Sequence, residues 1–112
     1  MISDADLLDN AAYVLEANGW HQGRLYNDEG NVCAVGALRT AACHIYGIYA
    51  ADHETLTPST LCGTHQLVRL QDLLEERLGE RPLYVWNDMP GRTKYEVIDL
   101  FRETAKDLRN KQ

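Results

Sequence analysis

Residues 18–47 read NGWHQGRLYNDEGNVCAVGALRTAACHIYG, and the reading of this stretch decides the fold. It contains one of the two Trp, two of the four His and two of the three Cys. It is either a reactive centre or a corner that joins two helices. Gly19 suits the left-handed conformation that ends a helix. Asp28-Glu29-Gly30-Asn31 is turn chemistry, so a short hairpin is expected over Leu25–Cys33. From Cys33 to Tyr46 the side chains are mostly small, with Gly36, Ala37, Ala41 and Ala42 allowing close backbone approach. A Gly within a helix costs about 1 kcal/mol against Ala, and close packing or close ligand approach is the usual reason to accept it. This segment is therefore expected to be the central buried helix, with Gly47 as its cap.

Working outward, Ser3 is a good N-cap for a helix over about Asp4–Asn18, and Asp6 stands where a capping-box acid would. Leu7, Ala11, Val14 and Leu15 follow one face of it. Residues 48–63 have no regular pattern, although Thr57-Pro58 can open a helical turn. A third helix is expected from Thr64 to Leu78, with Leu67, Leu70, Leu74 and Leu78 as its buried stripe and Gly79 at its end. Leu83-Tyr84-Val85-Trp86 reads as a short strand or extended crossing. Thr93 and Glu96 form a Thr-x-x-Glu capping box for a last helix, whose core face carries Val97, Leu100, Phe101, Thr104 and Leu108. The fold class expected is mostly α. One compact domain spans residues 1–112, with four main helices, a hairpin or extended segments at one end and a frayed tail at 108–112.

A chain of 112 residues with 45% hydrophobic residues suits one core. It has no run of about 18 apolar residues, so no membrane span is expected. The start MISDADLLDN lacks a basic region followed by an apolar run, so a cytoplasmic location is expected. Three Cys with no C-x-x-C pair fit reduced thiols rather than a disulfide framework. The net charge of −6 would repel duplex nucleic acid and attract a basic protein. Arg outnumbers Lys eight to three, a usage that often accompanies GC-rich genomes.

Three chemistries deserve weighing. Cys33 at a helix start is placed for thiolate stabilisation, with His21, His44 or His65 as a base and Asn87 or Asp88 as an orienter. The competing reading is a small buried hydrophobe. Cys43, His44, Cys62 and His65 are metal-ligand types. However, Cys43 and His44 point about 100° apart on a helix, and no metal or other cofactor is expected. The third is a small-ligand site for a nucleotide or nucleotide signal. There the amides before Gly36 would receive a phosphate beside Cys33, with Arg24 and Arg92 helping. Trp20 and Trp86 would stack on the base, and Gln22, Asn87 and Asp88 would form the polar rim. Against it stands the reading of both Trp as core anchors and Asn87-Asp88 as turn caps.

The motifs occur in a recognisable order. Gly19-Trp20-His21-Gln22-Gly23 is G-W-x-x-G and Cys33-Ala34-Val35-Gly36-Ala37 is C-x-x-G-A. Trp86-Asn87-Asp88 is W-N-D, and Arg92-Thr93 with Glu96-Val97 is R-T-x-x-E-V. Together they resemble a family of small proteins of actinobacteria and their phages, carried as a domain of unknown function. The resemblance implies such an origin and brings no catalytic assignment. The function expected is that of a non-enzymatic, phage-encoded interaction protein that binds and modulates a host protein in the host cytoplasm. The alternatives are the nucleotide binder and the Cys33 hydrolase.

Overall fold

A computed structural model describes residues 2–46 and 58–111. The cap expected at Gly47 and residues 48–57 of the segment 48–63 lie outside them. Helices α1 (Asp4–Asn18), α2 (Ala34–Tyr46), α3 (Pro58–Arg77), α4 (Leu83–Asn87) and α5 (Lys94–Asn110) make one mostly helical globule. No helix among the described residues is long and apolar enough to cross a membrane.

The first helix begins where Ser3 Oγ accepts the Asp6 N–H at 3.1 Å. It ends at Gly19, whose φ of 86° brings its N–H to Leu15 O at 3.0 Å. Leu7, Leu8, Ala11 and Leu15 are fully buried. The spacing of 3 to 4 residues makes α1 a central partner for both α2 and α5. Helices α1 and α5 run antiparallel. Arg109 near the end of α5 pairs with Asp6 and Asp9 near the start of α1, both at 2.7 Å, and Arg102 pairs with Glu16 at 3.0 Å. These exposed pairs align the helices but contribute little, about 0–1 kcal/mol each. The stability comes from the apolar seam, which Phe101, Val97 and Ala105 line from α5. Thr93 and Glu96 form the expected reciprocal capping box of α5.

Two expectations need correction. Leu83–Asn87 is a helix, not a strand. Its burial pattern shows why: Leu83, Trp86 and Asn87 are buried while Tyr84 and Val85 are exposed. A strand would have placed Tyr84 and Trp86 on one face. Pro82 sets the entry, and Glu75 Oε2 on α3 accepts the Leu83 N–H at 2.7 Å. These tertiary restraints override the β-propensity of Tyr, Val and Trp. In addition, α3 starts at Pro58, earlier than the expected Thr64. Proline at a first helical position has a suitable φ and lacks an N–H that would be unpaired there anyway.

The corner between α1 and α2 is a tied loop. Val32 bridges both Trp20 and Tyr26, but these are isolated bridges, and no strand ladder forms among the described residues. A turn lies where it is expected, over Asp28–Asn31, but the side chain that caps it is Asn27 rather than one of those residues. Asn27 Oδ1 accepts the N–H groups of Glu29 and Asn31, at 3.0 and 2.9 Å.

Candidate functional site

Asn87 closes α4 and is fully buried. Its Oδ1 accepts the Trp20 indole N–H at 2.7 Å and the Ala34 backbone N–H at 3.0 Å. Both donors can only donate, which fixes the orientation of the amide. Asn87 Nδ2 donates to His21 O at 3.3 Å and to Asp88 Oδ1 at 3.0 Å. Asp88 Oδ1 also accepts the Gly23 N–H at 2.9 Å. Gln22 Nε2 donates to the main-chain oxygens of Asn87 and Met89, each at 3.0 Å. One side chain thus caps α2, holds Trp20 and carries the loop 20–23 against the end of α4.

A second cluster adjoins it. The Arg92 guanidinium lies over the Trp86 ring, 4.0 Å from its centroid, a cation–π contact. Arg92 Nε donates to Trp86 O at 3.0 Å and Nη1 to Glu96 at 2.6 Å. The Arg92 hydrogen bond holds the Glu96 carboxyl below its ordinary range. Arg92 therefore occupies a Trp86 face on which a base would stack.

Cys33 is buried, and its Sγ accepts the Gly36 N–H at 3.4 Å. Burial pushes the thiol up, against the backbone N–H groups that favour its anion. Among the described residues no hydrogen bond joins Cys33 to a histidine. Asn87 meets His21 through the main chain, not the ring. The His21 Nε2 is buried without a hydrogen-bond partner among the described residues. The protein as folded near neutral pH should resist iodoacetamide at Cys33 and label there only after denaturation, as read by peptide mass. Labelling of folded Cys33 as fast as a free thiol would revive a nucleophilic role.

The structure thus brings together Trp20, Gln22, Asn87 and Asp88, and joins Trp86 to Arg92. Cys33 and Gly36 start α2, whose first N–H faces Asn87. Arg24 is exposed, and no hydrogen bond joins it to this network among the described residues. Among those residues no three His, Cys, Asp or Glu side chains converge as a metal site. The Cys62 side chain, one of the metal-ligand types, lies outside the description.

The sequence reading missed a second buried polar centre. Gln66 is fully buried on α3. Its Nε2 donates to Ile2 O at 3.0 Å and Asp4 Oδ1 at 2.9 Å, and its Oε1 accepts the Tyr46 hydroxyl at 2.7 Å. Burial raises the Asp4 carboxyl, but hydrogen bonds from Arg69 and Gln66 outweigh this and hold it below its ordinary value. A signal was available, because Gln66, Leu70 and Leu74 share one helix face at i, i+4 and i+8.

These features define a small helical protein whose most polar interior serves to lock a corner. The chain belongs to the family described as Family of unknown function (DUF6197), which it matches over residues 1–107. No curated protein and no solved structure matches it.

Proposed function

We propose that the protein is a non-enzymatic interaction protein, encoded by an actinobacterial phage, that binds and modulates a host protein. One observation carries this reading: the polar side chains of Trp20, Gln22, Asn87 and Asp88 are engaged within the junction, while large aromatic side chains face outward. Tyr13 is 65% exposed, Tyr84 59% and Tyr95 73%. Tyrosine gives large contact area at small conformational cost and is enriched at protein interfaces. The net charge of −6 favours a basic partner. The motif order and the Arg-rich cation usage support the origin.

The test is affinity capture from an actinobacterial lysate with the wild type and with a Tyr84→Ala/Tyr95→Ala variant. One dominant partner is expected, captured less as salt rises, and captured poorly by the variant at unchanged melting temperature. Capture of no partner at any salt would overturn the proposal, as would a partner indifferent to both tyrosines and to salt.

A further inference from the structure

Met89 lies in the turn between α4 and α5 and is partly exposed. Two guanidinium groups approach its sulfur. Arg81 Nη1 lies 3.0 Å from Sδ, and Arg92 Nη2 lies 3.4 Å from it. This is an unusual use of arginine. A thioether is a weak acceptor, whereas guanidinium N–H groups pair best with strongly polar or charged oxygen. The chain is rich in carboxylates, yet Arg81 forms no ion pair among the described residues. An oxygen atom on the sulfur would supply the strong acceptor that Arg81 lacks, and a better one for Arg92 Nη2, whose Nε and Nη1 are already engaged by Trp86 O and Glu96.

We propose that Met89 is a modification site, oxidised by a peroxide to the sulfoxide, and that Arg81 and Arg92 hold the new oxygen. In this step the exposed Arg81 guanidinium turns away from the sulfur, and the freed lone pair attacks the hydroxyl oxygen of the peroxide. The S–O bond forms as the O–O bond breaks. The leaving oxyanion takes the hydroxyl proton and departs as an alcohol, or as water from hydrogen peroxide. Sulfur is oxidised by two electrons and the peroxide is reduced by two. The guanidinium groups favour both the departing anion and the polar S–O product, because both place negative charge on oxygen.

The product has a structural effect that an ordinary methionine sulfoxide lacks. Oxidation of a packed methionine normally disrupts its surroundings, because a flexible apolar side chain becomes polar. Here the Met89 main-chain oxygen already accepts Gln22 Nε2 at 3.0 Å and the Arg92 N–H at 3.1 Å. A sulfoxide gripped by Arg81 and Arg92 ties the same turn to the chain on both sides. Oxidation therefore strengthens the turn that holds α4 to the loop 20–23.

The experiment treats the full chain with hydrogen peroxide. It locates the added oxygen by peptide mass and compares melting temperatures before and after treatment. Met89→Leu, treated identically, subtracts any effect of cysteine oxidation or of Met1. Arg81→Ala removes one exposed donor with little risk to folding. The expected result is that folded wild type gains oxygen at Met89 and then melts higher than its reduced form. The gain should be absent in Met89→Leu and reversed in Arg81→Ala. Three results would overturn the proposal: a Met89 that oxidises only after denaturation, an oxidised wild type that melts no higher than its reduced form, or an identical shift in wild type and Arg81→Ala.

Discussion

Replacing Asn87 by alanine should lower the thermal midpoint by about 10–20 °C, the largest effect expected of any polar substitution in the protein. The amide oxygen is the acceptor for both the Trp20 indole and the first N–H of α2. Each buried donor left without a partner costs about 1–3 kcal/mol, and a helix cap about 1 kcal/mol. A loss of roughly 3–5 kcal/mol converts at a few degrees per kcal/mol for a domain of this size. Asn87→Asp separates the two halves of the amide. It keeps the oxygen but sets a carboxylate against His21 O and the Asp88 carboxylate, where Nδ2 now donates. Burial and the like charge would raise the folded pKa of the introduced carboxyl above its unfolded value. A raised pKa means stability present at low pH and lost as pH rises, so this variant should approach wild type on acidification and fall away above the ordinary carboxylate range. An Asn87→Ala protein that melts within two or three degrees of wild type would refute the central role of this side chain.

Gly36→Ala is the second large effect, and its sign is the informative part. In an exposed helix the exchange gains up to about 1 kcal/mol. Here a Cβ would sit 2.2 Å from Leu25 O, a main-chain atom that cannot rotate away. The same oxygen accepts the Cys33 N–H at 3.2 Å, so displacing it also opens the corner. The combined cost should be about 2–4 kcal/mol, from overpacking of about 1–3 kcal/mol and one lost hydrogen bond of about 1 kcal/mol. Urea unfolding measures it directly. A midpoint equal to or above that of wild type would show that the corner can yield.

Much of this fold can be read from local chemistry. Ser3, Gly19 and the Thr93–Glu96 box mark helix ends through contacts within four residues, and the structure has those ends. Leu83–Asn87 reads locally as extended because its residues favour strands, whereas its helix depends on Glu75, eight residues away from Leu83. The site shows the same division. Trp20, Gln22, Asn87 and Asp88 stand out as residues, but their pairing spans 65 to 67 positions, which no local pattern encodes. Gln66 was legible by spacing and was hidden by the leucines around it. No local pattern marks Met89, because a thioether between two arginines is a property of the folded turn alone.

The pairing of α1 with α5 sets an order of events during synthesis. Asp6 meets Arg109, 103 positions later in the chain. While a ribosome extends the chain, the apolar face of α1 emerges early and its main covering helix emerges late. At about 5–20 residues per second, that face waits for several seconds with only α2 to shield it. The interval is long compared with helix formation, which takes about a microsecond. The native packing of α1 is therefore completed only when α5 arrives.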